Sequence, residues 1–327
     1  MIITRTPFRI SFFGGGSDYR EWYIRHGGMV LSSTINRYCY LSVRRLPPFF
    51  PYKHRIVWSQ TELVKEVKQI LHPAVRGCME FLNLGEEGIE ITHSADLPAR
   101  SGLGSSSAFT VGLINALNAV RAVPVTKKII AGQAIHVERE VLKETVGIQD
   151  QIACAYGGLN LIKIQNDGTY DVYPVEIDDT RLREFQAHFM LFFTGLQRHA
   201  SEIAAAQVSN FERREAELRD IVRLVGRAHA VLLAGGKLDD FGALLHHGWL
   251  LKRSLAEEVS NSHIDELYAR ARDAGAIGGK VLGAGGGGFM AFFVKPEEQP
   301  AVRAELSDLL EVPFEFEDFG TEVLLSH

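Results

Sequence analysis

Residues 97–108 read Leu97-Pro98-Ala99-Arg100-Ser101-Gly102-Leu103-Gly104-Ser105-Ser106-Ser107-Ala108 and run straight into an apolar stretch over 109–120. Gly102 and Gly104 let a backbone come close to a ligand, and Val111, Ile114, Ala116 and Leu117 recur at the spacing of a helix with a buried face. The first N–H groups of a helix are unpaired and its dipole makes that end partly positive, so a phosphate group can rest there. A serine-rich turn that only caps the helix is the simpler reading. One cap needs one hydroxyl, however, and Ser105, Ser106 and Ser107 supply three. The surplus points to a phosphate cradle.

The surrounding chain has the composition of a globular protein with a sizeable core. Its 327 residues are 46% apolar and 23% charged, which predicts two domains, or one large one with additions, and excludes disorder. A net charge of −5 and a pI near 6.2 argue against a general nucleic-acid binder. Cys39, Cys78 and Cys154 are odd in number and widely spaced, so they read as buried thiols of a reducing cytoplasm. No signal peptide or membrane span is expected, because no long uncharged run is found.

Working outward toward the N-terminus, residues 89–94 predict a strand that feeds the cradle. Residues 62–82 predict a helix interrupted at Pro73, and 55–58 a short strand. Trp58 and Phe49 read as core or edge packing rather than an adenine slot. Residues 29–35 and 38–43 predict two strands, the second closed by Pro47-Pro48. Residues 2–13 predict a strand ending at Gly14-Gly15-Gly16-Ser17-Asp18-Tyr19. That loop is either a plain glycine turn or a place where backbone and carboxylate meet a polyhydroxyl ligand.

Toward the C-terminus, residues 127–142 predict a helix with Glu138 beside its apolar stripe. Asp150 follows in an apolar setting where a carboxylate needs a partner or a task. Strands are predicted at 170–175 and 189–193, with a domain boundary near 178–183 that divides the chain into 1–180 and 181–327. Helices are predicted over 201–233, 239–254 and 263–274. Arg198 falls on a loop after the 189–193 strand, and Lys252 on a helix. Each reads as either a solvated surface cation or a phosphate ligand. A glycine-dense stretch, 278–288, precedes a strand at 289–294.

Two common phosphate motifs are excluded. Gly236-Lys237 and Gly279-Lys280 are each followed by an apolar residue where a P-loop needs Ser or Thr. Gly283, Gly285 and Gly288 match a dinucleotide fingerprint by letter, but a strand follows them where a helix is required. Zinc-protease and Gly-x-Ser-x-Gly signatures are missing too.

Taken together, residues 7–19, 98–108 and 280–288 resemble, in order, the three motifs of the galactokinase, homoserine kinase, mevalonate kinase and phosphomevalonate kinase (GHMP) superfamily. Within it, residues 12–19 and Thr194-Gly195-Leu196-Gln197-Arg198 are similar to the bacterial D-glycero-D-manno-heptose 7-phosphate 1-kinases. The resemblance implies an α+β fold of two domains with ATP and substrate meeting in the cleft between them. It further implies that the loop Arg100, Ser101, Gly102, Leu103, Gly104, Ser105, Ser106 and Ser107 wraps the ATP phosphates, and that Ser106 and Glu138 hold Mg2+. Asp150 would face the acceptor hydroxyl and Arg9 the transferred phosphoryl group. Gly15, Gly16, Ser17 and Asp18 would bind the sugar, with Arg198, Lys252, Gly285 and Gly286 contributing from the second half. The activity the resemblance implies is ATP-dependent phosphorylation of the anomeric C1 hydroxyl of D-glycero-D-manno-heptose 7-phosphate, for nucleotide-activated heptose and surface polysaccharide. The alternatives are an unphosphorylated hexose (fucose, galactose or mannose) as acceptor and a catalytically silent sugar sensor. Glycines replace the commoner Glu-His pair of the first motif, which sets galactose itself apart.

Overall fold

The computed structural model describes residues 1–196 and 200–326. Among the described residues the strands form two sheets, one of nine strands and one of four. In the larger sheet, Ile2–Phe13 lies between the C-terminal strand Glu322–Ser326 and the long strand Gly28–Leu46, antiparallel to both. The chain therefore returns at its end to the sheet in which it began. Leu310–Glu311, Phe189–Phe193, Phe289–Phe293 and Gly278–Val281 form the smaller sheet, antiparallel throughout.

The helix Ser105–Val120 lies against the first two strands and is buried on nearly all sides from Ser107 to Asn118. Gly112 makes that packing close: a Cβ there would stand 2.6 Å from the Thr6 hydroxyl, and Thr4 Oγ1 donates to the Gly112 carbonyl at 3.1 Å. A helix seated this deeply fixes where its N-terminus, and hence the loop before it, must lie. Between the two sheets, Phe12 meets Phe185, Phe189, Phe241 and Phe316 with ring centroids 5.1–6.0 Å apart. These edge-on and tilted contacts join the sheets through one continuous core.

Several expectations change on contact with the fold. The predicted strands 29–35 and 38–43 are one strand, Gly28–Leu46, whose register against the first strand jumps between Pro7/Tyr38 and Phe8/Ile35. Asn36 and Arg37 are the extra residues of that bulge. The predicted helix over 62–82 is a strand, Thr61–Val64, then a short turn and the helix Pro73–Phe81. Pro73 begins that helix rather than interrupting it, because its missing N–H is one the first turn leaves unpaired anyway. The helix over 201–233 is two, Ala200–Asn210 and Glu215–Leu233. Phe49, expected to pack, is 86% exposed, while Trp58 is half-buried and donates to Glu62 Oε1 at 2.9 Å. All three cysteines are free and buried. Among the described residues no helix is long and apolar enough to cross a membrane.

Candidate active site

The first strand carries Arg9 beneath the glycine–serine loop. Arg9 N donates to the Leu103 carbonyl at 3.0 Å and Arg9 Nη1 to the Gly102 carbonyl at 2.7 Å, so strand and loop are tied by backbone and side chain at once. Gly102 has φ +82° and lies so near the second glycine loop that a Cβ on it would fall 2.4 Å from the Leu282 carbonyl oxygen. Only glycine meets both demands. The helix begins at Ser105 after Gly104 with no side chain capping it, which leaves the N–H groups of the first turn facing the cavity.

Asp150 enters from the first turn of the helix Gln149–Tyr156, where the helix dipole favours a negative charge. The guanidinium of Arg9 grips it with two parallel bonds, Nε to Oδ1 at 2.7 Å and Nη2 to Oδ2 at 2.5 Å. Arg9 is only 3% exposed, so this bidentate pair is well shielded on its cationic side. Asp18 is buried beside it, accepting from Gly16 N at 3.0 Å and Gln149 N at 3.3 Å. Burial, and then the nearby Asp150 charge, push the Asp18 carboxyl above its ordinary value. Gly147 permits the arrangement: a Cβ there would stand 1.8 Å from Asp18 Oδ2.

Two lysines from the second half of the chain complete the floor. Lys252, read from sequence as either a surface cation or a ligand, is only 7% exposed, and its ammonium donates to the Gly283 carbonyl. Burial first, and then Arg9, lower it to about 8. Lys280 Nζ donates to the Ser11 and Phe12 carbonyls at 2.8 and 3.0 Å, crossing from one sheet to the other. Burial, with Lys252 and Arg9 nearby, holds it well below the usual lysine range.

Glu138 is fully buried within a π-helical turn, Val137–Val141, a local widening that recurs at functional sites. Its Oε2 accepts from Ser107 Oγ at 3.0 Å and from Gln151 Nε2, whereas Oε1 has no partner. Burial raises its carboxyl to about 7. A buried carboxylate oxygen left unpaired on the cavity wall, in a carboxylate that the Ser107 hydroxyl already touches, suits a hard divalent cation that would bind one carboxylate plus substrate phosphates.

These groups surround one cavity of about 320 Å³. Arg9, Arg100, Lys252 and Lys280 line it as cations. Asp18, Glu138, Glu144 and Asp150 line it as carboxylates, an even balance. Of the other residues singled out in the sequence, Gly15, Gly16, Gly102, Gly104, Ser105, Ser106 and Ser107 also reach the wall. Ser101 and Leu103 are buried behind it, and the Ser17 hydroxyl turns inward to the Gly14 carbonyl at 2.8 Å. Gly285 and Gly286 are buried against Val259, and the loop reaches the cavity through Gly283 and Ala284 instead. Arg198 lies outside the described residues. Sequence reading missed Lys280 as a cavity cation, Glu144, and the Ser107–Glu138 bond. Only Lys280 had a local signal, a lone charge on a short segment of otherwise small and apolar residues.

Residues 63–158 match the GHMP kinases N terminal domain, and residues 228–312 match GHMP kinases C terminal. The chain is 31% identical to the D-glycero-alpha-D-manno-heptose 7-phosphate kinase of Campylobacter jejuni subsp. jejuni serotype O:2, over 91% of each. Its fold is that of a D-glycero-D-manno-heptose 1-phosphate kinase from Bacteroides thetaiotaomicron, with a TM-score of 0.82, 24% identity and full coverage of both chains. It also shares the fold of the Lactococcus lactis galactokinase complexed with galactose, with a TM-score of 0.75, 20% identity and coverage of 99% and 95%. The order of the three glycine loops, the pairing of Arg9 with Asp150 and these matches lead to one conclusion: the chain belongs to the GHMP kinases, phosphotransferases that act on an alcohol group with ATP as co-substrate.

Proposed function

We propose that this chain transfers the γ-phosphoryl group of ATP to the anomeric hydroxyl of D-glycero-D-manno-heptose 7-phosphate. The observation that carries the reading is the buried cluster in which Arg9 holds Asp150 by two bonds beside Asp18, Lys252 and the open helix N-terminus. The relative at 31% identity supports the choice of acceptor.

Phosphoryl transfer needs the phosphate charge offset and the nucleophile aligned. In this proposal the N–H groups at Ser105, Ser106 and Ser107 receive the phosphate oxygens, and Arg9 lies between them and the acceptor. A carboxylate has about four lone-pair positions. Two of those on Asp150 serve Arg9. The others face the sugar hydroxyl, accept its hydrogen bond and take its proton during transfer. Asp18 receives other sugar hydroxyls, and the Lys252 ammonium offsets charge on the transferring group. Ser106 and Glu138 would hold Mg2+, which when bound supplies positive charge to the phosphates.

Two results test this reading. Initial rates of ADP release over heptose 7-phosphate, free heptose, fucose, galactose and mannose should give the highest kcat/KM with the heptose 7-phosphate. A preference for free hexose would replace the acceptor, and no ADP release with any sugar would favour a binding protein. The pH profile tests Lys252 separately. The ammonium is charged below about 8 and neutral above it, so kcat/KM should fall as pH rises through that value. In Lys252→Met the low plateau should persist across the same range, and an unchanged alkaline limb would remove Lys252 from the reaction.

A further inference from the structure

Glu138 presents a buried, unpartnered oxygen to the cavity, and both donors to its other oxygen, Ser107 and Gln151, are neutral. The chain then doubles back, because Glu144 N donates to the Glu138 carbonyl at 3.0 Å. Lys143, between them, adopts φ +58°, a left-handed conformation unfavourable for a residue with a side chain. The consequence is that Lys143 points outward, pairing with Glu140 at 3.6 Å, and Glu144 lines the cavity. Among the described residues the half-buried Glu144 carboxylate has no hydrogen bond or ion pair.

We propose that Glu144 is an outer carboxylate of the divalent-cation site, holding a water of the ion that Glu138 and the serine loop bind directly; this rests on the kinase reading above. Two carboxylates facing one cavity repel each other unless a cation joins them. The unpartnered Glu138 oxygen and the unpaired Glu144 carboxylate belong to the wall of the same cavity. Four cationic and four anionic side chains line the cavity, so a triphosphate brings uncompensated negative charge and needs a companion cation. Mg2+ keeps several of its waters, which gives a carboxylate nearer the cavity mouth something to hold.

The test uses the full chain with Mn2+ as the probe, counting free ion by electron paramagnetic resonance in the presence of a non-hydrolysable ATP analogue. Glu144→Gln should weaken Mn2+ binding by about tenfold, as loss of an outer-shell partner does. Glu144→Asp should recover most of that loss, with both variants keeping the wild-type melting temperature. If Glu144→Gln binds Mn2+ like wild type while Glu138→Gln does not, the proposal falls and the kinase reading stands. If Glu138→Gln also binds normally, the cation site itself is elsewhere, and both this proposal and the metal role of Glu138 fall. Weakening that Glu144→Asp fails to recover, together with a lowered melting temperature, would make Glu144 a folding residue and overturn the proposal.

Discussion

Asp150→Asn is expected to lower kcat by about 10²–10⁴-fold, the range for loss of a general base, with little change in affinity for ATP. The amide has the same shape and stays on the same helix turn, so the phosphate loop, tied by Arg9 to Gly102 and Leu103, is left in place. What changes is the charge and one acceptor. An amide nitrogen cannot receive the second guanidinium bond, and its oxygen is too weak a base for a sugar hydroxyl proton. Calorimetry with a non-hydrolysable ATP analogue and steady-state rates separate the two effects. Wild-type kcat in the variant would remove Asp150 from the chemistry, and lost nucleotide affinity would make it part of the cradle.

Arg9→Met should be at least as damaging to kcat and should also destabilise the fold. Three side-chain bonds disappear together, two to Asp150 and one to the Gly102 carbonyl. Removing one partner of a buried pair costs roughly 3–5 kcal/mol, because the remaining charge is stranded. The Asp150 side chain is 25% exposed, so water recovers part of that and the expected loss lies at the lower end. Arg9→Lys should restore some stability without restoring rate, since an ammonium keeps the charge and cannot form the two parallel bonds. Thermal melts beside steady-state rates read both outcomes. A Met variant with normal melting and normal kcat would show that the pair is incidental.

The parts of this site legible in the sequence are those whose chemistry is local. A glycine that must adopt a positive φ, hydroxyls in a row and a helix start all leave their mark within a dozen residues, so the 98–108 loop was readable. Strand Phe189–Phe193 was likewise placed to the residue by its unbroken apolar run. Contacts between distant segments leave no such mark. Lys252 looks like one more charge on an amphipathic helix, and only the approach of Gly283 makes it a buried ammonium. Glu144 sits in a segment with no periodicity, and its inward aim depends on the backbone angle of Lys143. The strand Thr61–Val64 was mistaken for helix because Leu63, Val67 and Ile70 fall at helical spacing by chance, while its pairing with His54–Val57 is a tertiary fact. The closing strand Glu322–Ser326 went unseen for the same reason: its partner lies at the other end of the chain.

In the proposed reaction Asp150 and Arg9 direct a phosphoryl group onto an anomeric hydroxyl. Phosphorus NMR of the product formed from ATP and D-glycero-D-manno-heptose 7-phosphate tests it most directly. One new phosphate ester is expected, coupled to the anomeric proton and appearing in step with ADP, with the original terminal ester intact and its formation in Asp150→Asn slowed by about 10²–10⁴-fold. An ester at any other carbon, or the same ester formed at the wild-type rate by the variant, would contradict it.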